Sequence, residues 1–337
     1  MGFLSPRPKD TQSGDSPATG DPAGGPHLLQ TQNAPSDGAT TPTSSQVSRF
    51  RAWWAGVRFA SLSASVVPVL VGTAAARPLH LERPLAFVAA LLAAMLIQIG
   101  TNFANDAFDY QSGADRPGRL GPRRLVLSGA VSPHQALFGA AVAFGLAALL
   151  GLYLIWVGGW PILVIGVLSI ASGILYTGGP WPLGYHGLGD LFTFVFFGLA
   201  GVIGSAYLQT LSVDPTPVLA GISVGLLVTA ILAVNNLRDI DTDRLVGKMT
   251  LAVRTGRRAT RLQYAALVAG AYLIPPVIWL ALHRSPLVLL PWATLPLAVR
   301  SVRGVAAGEG PALNLMLKRT GQLNLLFGLL FALGLWA

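Results

Sequence analysis

Apolar residues run through most of the chain in long continuous stretches, which short segments rich in Gly, Pro or charged residues interrupt. These stretches do not alternate apolar and polar positions, so they predict helices rather than strands. A helix needs about 20 residues to cross the hydrocarbon core of a bilayer. We therefore expect an all-α membrane protein with about nine transmembrane helices, at residues 59–76, 84–109, 133–153, 160–175, 188–211, 217–236, 260–282, 286–299 and 320–336.

The first 48 residues have a different pattern. They are rich in Ser, Thr, Pro, Gly, Asp and Gln and contain few large apolar side chains, so they cannot bury enough surface to fold alone. They contain no apolar stretch of the kind found in a signal peptide. We predict a disordered tail at residues 1–48 and one transmembrane domain at residues 49–337, which begins with an interfacial Arg- and Trp-rich anchor.

Composition supports a membrane protein. Hydrophobic residues make up 52% of the chain and charged residues only 11%, whereas a soluble domain carries about 25% charged residues. The absence of cysteine excludes disulfides and thiolate metal sites. The five histidines are scattered along the chain and do not form a metal-binding motif.

The net charge of +9 could indicate a nucleic-acid partner, but the cations fall in the loops between apolar stretches. Such a distribution is typical of a protein that lies in a lipid bilayer, with its basic loops on the cytoplasmic side. The loops after the second, sixth and eighth predicted spans are basic, while the opposite side has only Arg77, Arg83 and Arg284. We therefore expect no nucleic-acid partner and a cytoplasmic N-terminus.

Acidic residues are concentrated at three of the predicted helix ends. Asn235, Asp239 and Asp243 follow an apolar stretch at i, i+4 and i+8, so a continuing helix would present all three on one face. Buried acidic groups at a membrane interface cost free energy unless a cation neutralises them. Asp241 would point away from this face, as a solvated or Arg-paired acid.

A similar acidic stripe occurs about 130 residues earlier, where Asn102, Asp106 and Asp109 are at i, i+4 and i+7. Each stripe taken alone could be an ordinary helix cap and turn, but the repetition argues against that alternative. Carboxylate and amide oxygens are the ligands that Mg²⁺ prefers. Two facing stripes would hold Mg²⁺ ions and a diphosphate, with Asp106, Asp109, Asp239 and Asp243 as metal ligands, and Asn102, Asn105 and Asn235 beside the bound group.

Basic residues follow both stripes and could contact phosphate oxygens. Arg119, Arg123 and Arg124 lie in a loop with several glycines, and Lys248 follows Gly247 after the second stripe. The alternative for the three arginines is an ordinary basic cytoplasmic loop. The chain has no phosphate-binding loop of the Gly-Lys-Ser/Thr type.

The loop from residue 176 to residue 190 contains no Lys or Arg and many glycines and aromatic residues. Near a diphosphate, Tyr176 could stabilise an allyl cation through its aromatic face. Asp190 could orient or deprotonate an aromatic acceptor. The alternatives are a tyrosine of the interfacial aromatic belt and a helix N-cap.

These residues resemble the UbiA superfamily of intramembrane prenyltransferases. The two Asp-rich motifs of that superfamily resemble Asn102-x-x-x-Asp106-x-x-Asp109 and Asn235-x-x-x-Asp239-x-x-x-Asp243, and the likeness extends over residues 50–337. Within the superfamily the chain is most similar to the 1,4-dihydroxy-2-naphthoate polyprenyltransferases of menaquinone biosynthesis. That group usually has Glu where Asp190 stands, and Arg-Pro where Arg58-Phe59 stands.

The resemblance implies helices that enclose a cavity and a site on the cytoplasmic face of a cell inner membrane or plasma membrane. It also implies Mg²⁺ as cofactor, with a prenyl diphosphate and an aromatic acceptor as substrates. Asp106, Asp109, Asp239, Asp243 and Lys248 would then act on the diphosphate, and Tyr176 and Asp190 at the reacting carbons. The acceptor could instead be 4-hydroxybenzoate, homogentisate or a chlorophyllide. A polytopic transporter is a further alternative, although its acidic residues would be expected near mid-span.

Overall fold

A computed structural model describes residues 49–76, 82–115, 121 and 124–337. The predicted tail at residues 1–48 lies outside this part of the chain. Regular structure among the described residues is entirely helical, as the apolar pattern predicts. Ten helices are numbered in chain order: α1 (Arg49–Val57), α2 (Phe59–Ala75), α3 (Pro84–Gln111), α4 (Pro133–Gly158), α5 (Trp160–Leu175), α6 (Gly189–Thr210), α7 (Pro215–Leu245), α8 (Leu251–Ala281), α9 (Leu295–Ala307) and α10 (Ala312–Trp336).

Five of these helices, α3, α4, α6, α7 and α8, are long and apolar enough to cross a membrane. Helices α1 and α2 would form a sixth span if counted together, with a 44° bend between them, and α5 is a shorter apolar helix. The all-α membrane fold is therefore confirmed, while the figure of about nine spans stays a prediction.

Proline changes the geometry of the predicted span at residues 286–299. The segment Pro286–Thr294 is a 3₁₀-helix, and only from Leu295 does α9 continue as an α-helix. Pro291 has no backbone N–H and cannot complete the regular i to i−4 pattern of an α-helix. The predicted span is therefore helical throughout, but it changes from a 3₁₀-helix to an α-helix at Leu295.

The largest buried apolar cluster joins α2, α7, α8 and α10, with Val71, Leu227, Tyr264 and Phe327 among its members. A second cluster joins α1, α3 and α4 to the segment that begins at residue 124. In a bilayer the hydrophobic effect contributes little to the association of helices, so close packing between small residues contributes more. These two clusters hold α3 and α7, the helices with the acidic stripes, in place.

Candidate active site

Both acidic stripes lie inside helices rather than in the turns that follow. Asn102, Asp106 and Asp109 belong to α3, and the second stripe belongs to α7. The two helices end shortly afterwards, and Gly113 and Gly247 adopt a φ of 72° just beyond them. Glycine takes this left-handed conformation at low cost, which makes it common just after a helix end. The stripes therefore lie on helix faces near the ends of α3 and α7, and not in the turns that follow.

Arg124 neutralises the first stripe. One of its terminal nitrogens, Nη1, lies 2.7 Å from Asp109 Oδ2 and 3.3 Å from Asp106 Oδ1, and its Nε lies 3.1 Å from Asp115 Oδ2. All four side chains are at least 90% buried. Burial by itself lowers the pKa of Arg124, but the three nearby carboxylates raise it by more than burial lowers it. The net pKa is raised, so the guanidinium stays charged. This cation, which the sequence suggested as a phosphate contact, is held here by the acids.

Asp106 has two further partners that fix its orientation. The backbone N–H of Leu125 donates to Asp106 Oδ2 over 2.8 Å, and the guanidinium of Arg58 is paired with Oδ1. Arg58 stands at the break between α1 and α2 with a φ of 53°, an unusual value for a residue other than glycine. The carboxylate of Asp106, which is fully buried, is thus enclosed by two arginines and one amide.

The second stripe is neutralised by its own neighbour in the chain. Arg238 donates from Nε and Nη2 to the two oxygens of Asp239, at 2.7 and 2.6 Å. The same guanidinium donates to the Asn235 side-chain oxygen over 2.8 Å and to that of Asn314 over 3.0 Å. A two-nitrogen contact of this kind is among the stronger arginine–carboxylate geometries. Arg238 therefore ties the stripe on α7 to α10.

Tyr185 and Lys248 both contact Asp109 of the first stripe. The hydroxyl of Tyr185 lies 3.1 Å from Asp109 Oδ1, and the ammonium of Lys248 lies 3.8 Å from the same oxygen. The Lys248 nitrogen also lies 5.2 Å from the centre of the Tyr185 ring. Burial, followed by the charge of Asp109, raises the pKa of Tyr185, so its hydroxyl keeps the proton that it donates.

Tyr176 and Asp190 lie at the two ends of the loop that precedes α6. Burial, and then the charge of Asp190, raises the pKa of Tyr176, which stays neutral. The Nε2 of Gln263 on α8 lies 2.8 Å from Asp190 Oδ1, while Asp190 Oδ2 is buried and has no hydrogen-bond partner among the described residues. Asp190 lies inside α6 and makes no side-chain cap, so the N-cap alternative is wrong.

Residues from both stripes and from the loops line one large cavity of about 1180 Å³. Its wall is formed mainly by Ala, Gly, Ile, Leu and Phe side chains, and its charged members are Arg58, Asp109, Arg124, Arg238, Lys248 and Lys318. Asp106, Asp239, Asp190 and Asp243 are not part of this wall. The predicted site residues that line it are Asn105, Asp109, Arg124, Tyr176, Asn235 and Lys248.

Other predicted residues have different positions. The amide nitrogen of Asn102 donates to the Val57 carbonyl and to the Ser61 hydroxyl, each over 3.1 Å, so Asn102 braces the break between α1 and α2. Asn102 does not line the cavity, although a residue beside the bound group was expected to do so. Asp241 is exposed and pairs with Arg257 at 2.5 Å, as predicted. Arg119 and Arg123 lie outside the described residues.

Several residues that contact the site were not among the residues predicted to form it. Arg58, Arg238, Tyr185 and Gln263 contact the predicted acids, and Asn314 reaches the site from α10. The position of Arg238 directly before Asp239 was the available signal for one of them. The others come from distant parts of the chain, where sequence spacing gives no indication of contact.

Comparison with known proteins places the chain in a family. Residues 65–309, well over half of the chain, match the UbiA prenyltransferase family. The chain belongs to the UbiA prenyltransferase family. It is 38% identical to 1,4-dihydroxy-2-naphthoate octaprenyltransferase of Mycobacterium tuberculosis, an alignment that covers 84% of this chain and 96% of the relative. It is also 38% identical to the Escherichia coli protein of the same name, over 87% and 98% of the two chains.

A solved structure with the same fold is that of a UbiA homologue from Archaeoglobus fulgidus, bound to DMAPP and Mg²⁺. It is 15% identical, with a TM-score of 0.61, and covers 84% of this chain and 98% of that one. The fold class, the family and the prenyltransferase activity expected from the sequence are thus confirmed, and the chain is an integral membrane protein.

Proposed function

We propose that this UbiA-family protein transfers a polyprenyl group from a prenyl diphosphate to 1,4-dihydroxy-2-naphthoate, with loss of the carboxyl group as CO₂. The observation that carries the proposal is the cavity, whose charged part includes Asp109 and Lys248 while its larger part is apolar. A prenyl diphosphate has the same division between a charged head and an apolar chain. The names of the relatives that align with almost the whole domain support this acceptor.

The donor chemistry of the site fits a divalent metal. The cavity wall contains a carboxylate, Asp109, and the amide groups of Asn105 and Asn235, and oxygen ligands of this kind suit Mg²⁺. Among the described residues, however, no three acids or histidines are gathered into a ready metal site. In this arrangement Arg124 contacts Asp106 and Asp109, and Arg238 contacts Asp239. We propose that Asp106, Asp109, Asp239 and Asp243 hold Mg²⁺ in the enzyme. The metal would neutralise charge on the diphosphate.

The chain's own cations then stabilise the leaving group. Negative charge grows on the diphosphate as the allylic C–O bond breaks and its electron pair stays on oxygen. Lys248, Arg124 and Arg238 line the same cavity as Asp109 and would bind those oxygens. Arg119 and Arg123, which come shortly before Arg124 in the sequence, are proposed to assist in binding the diphosphate.

The apolar part of the cavity protects the allyl cation from water. Tyr176, which lines the wall and stays neutral, would face the cation with its aromatic ring. The acceptor ring attacks the cation through the carbon that bears the carboxyl group. The new C–C bond forms, and the C–C bond to the carboxyl group breaks and returns its electrons to the ring as CO₂ leaves.

Asp190 is proposed to bind the acceptor. Its Oδ1 is held by Gln263, and its buried Oδ2 has no partner among the described residues. Asp190 lies outside the cavity wall of this structure, and we propose that Oδ2 accepts a hydrogen bond from an acceptor hydroxyl once the substrate is bound. The site is proposed to face the cytoplasm of a cell inner membrane or plasma membrane, with the N-terminus on the same side, because the basic loops follow the helices that bear the acids.

The experiment that tests the function is mass spectrometry of products from purified protein, incubated with Mg²⁺ and one prenyl diphosphate. Equimolar 1,4-dihydroxy-2-naphthoate, 4-hydroxybenzoate and homogentisate compete as acceptors. We expect one product, the prenylated and decarboxylated naphthalenediol, and none in EDTA or from Asp106→Asn and Asp239→Asn. Product from another acceptor would replace the proposed substrate, and full activity in EDTA would remove the metal.

A further inference from the structure

Tyr185 lies in the short 3₁₀-helix Leu183–His186, and the backbone fixes it there. Its N–H donates to the Pro182 carbonyl, and its own carbonyl accepts from the N–H of Met249, both over 3.0 Å. The ring of the next residue, His186, is stacked on Trp181 at 4.1 Å. The loop before α6 is therefore joined to the loop after α7 at Tyr185.

The hydroxyl of Tyr185 contacts the carboxylate of Asp109. It lies 3.1 Å from Asp109 Oδ1 and 2.9 Å from the hydroxyl of Ser112, while Arg124 contacts the other carboxylate oxygen at 2.7 Å. A carboxylate with a separate partner on each oxygen cannot rotate freely. Asp109 is also the one predicted metal ligand that lines the cavity.

The ring of Tyr185 controls the position of Lys248. The ammonium lies 5.2 Å from the ring centre, within the range of a cation–π contact, and 3.8 Å from Asp109 Oδ1. Lys248 is 12% exposed and its side chain would otherwise have many rotamers. One side chain thus contacts an acid of the first stripe with its hydroxyl and the lysine after the second stripe with its ring.

We propose that Tyr185 is a positioning residue that holds Asp109 and Lys248 together. A bound Mg²⁺ ion and the diphosphate would then find both side chains in one fixed arrangement. The inference rests on the proposed function, since it assigns the pair to a metal-bound diphosphate. The hydroxyl and the ring make separate contributions, which Tyr185→Phe and Tyr185→Leu distinguish. Phe keeps the ring beside Lys248, whereas Leu removes both contacts.

The test measures binding of farnesyl thiodiphosphate, an unreactive analogue, to the purified full chain by calorimetry over a series of Mg²⁺ concentrations. The Michaelis constants for farnesyl diphosphate and 1,4-dihydroxy-2-naphthoate and the thermal midpoint are measured on the same samples. Tyr153→Phe is the matched control, because Tyr153 lies on α4 and packs against Trp156, away from the acids.

We expect Tyr185→Phe to raise the Mg²⁺ concentration for half-maximal analogue binding about tenfold, the effect typical of one hydrogen bond to a charged group. Tyr185→Leu should raise it further by about threefold as the cation–π contact is lost. The constant for the acceptor, the thermal midpoint of the Phe variant and the behaviour of Tyr153→Phe should be unchanged. Lys248→Met combined with Tyr185→Leu should be less than additive, since the two groups act together.

Unchanged Mg²⁺ dependence in the Phe variant would overturn the proposal. So would a lower thermal midpoint that accompanies equal losses toward both substrates, because that result describes a loop contact needed only for stability. If the Leu variant does not fold, the Phe variant decides. Failure of the unaltered protein and of Tyr153→Phe to bind the analogue at any Mg²⁺ concentration would instead refute the proposed function, and this inference with it.

Discussion

At the scale of single residues, charge neutralisation decides the arrangement of the site. Asp106, Asp109 and Asp115 are each at most 6% exposed, and Arg124 contacts all three. Carboxylates removed from water are tolerated only when a cation and hydrogen bonds replace their hydration. The arginines that pair with the acids also line the cavity, so the same groups are available to the proposed diphosphate.

Replacement of Arg124 tests this account. We expect Arg124→Met to destabilise the protein by about 3 kcal/mol, the effect of leaving buried charges without their partner. Arg124→Lys should be intermediate, because an ammonium keeps the charge but not the planar fork. Thermal and denaturant unfolding in detergent would measure both changes.

Arg257→Met is the control for that experiment. Arg257 pairs with Asp241, which is 73% exposed, so this contact contributes at most about 0.5 kcal/mol after screening by solvent. Equal losses for the two Met variants would show that burial of the acids does not set the energetic role of Arg124.

At the scale of helices, glycine allows α6 and α7 to approach closely. A Cβ atom added at Gly198 would lie 2.6 Å from the Gly225 Cα and 2.7 Å from the Gly221 carbonyl oxygen. The contact occurs where α6 is a π-helix, Phe194–Ala200. This form is rare in proteins, and where it does occur it is often at a functional site. Phe196 and Phe197 of this segment line the cavity, so the helix contact places part of its wall.

Gly198→Ala is expected to destabilise the protein by about 1–3 kcal/mol, because backbone atoms rather than a flexible side chain occupy the space. Gly145→Ala is a matched control on α4, where an added Cβ meets nothing within 4 Å. Its effect should be neutral or slightly stabilising, since Ala favours the helix. Unfolding midpoints of the two variants would decide, and equal midpoints would contradict the account of close helix contact.

At the scale of the whole molecule, the cavity is the feature to which most helices contribute. Its wall includes residues of nearly every helix from α1 to α7, and α10 adds Asn314 and Lys318. Its charged residues include Asp109 on α3 and Arg238 on α7, the helices that hold the acids, and small residues elsewhere in the wall leave room for a long apolar chain. The length of the prenyl chain that binds is therefore expected to depend on how far the apolar part of the cavity remains open.

Gly166 on α5 offers a test of this expectation. It lines the cavity, and a Cβ added there meets nothing within 4 Å. We expect Gly166→Phe to shift the ratio of kcat/KM values for a long over a short prenyl diphosphate by about tenfold toward the short one. Gly145→Phe, at an open position that does not line the cavity, should leave the ratio unchanged. An equal shift in both variants would contradict the expectation.

Sequence alone was sufficient for the all-α membrane fold, for the position of the two stripes on helices and for the family. Continuous apolar stretches specify membrane helices, and a spacing of three or four residues places side chains on one helix face, because both depend only on local backbone geometry. The expected positions of Asp106, Asp109, Asp239 and Asp243 on two helices follow from these local rules.

Only the tertiary structure decided which cations meet which acids. Arg58 reaches Asp106 across 48 positions of the chain, and Gln263 reaches Asp190 across 73. It also turned Asn102 toward the break between α1 and α2, and joined Tyr185 to both Asp109 and Lys248. Contacts of this kind depend on how whole helices pack. A pattern of neighbouring residues does not indicate which distant parts of the chain come into contact.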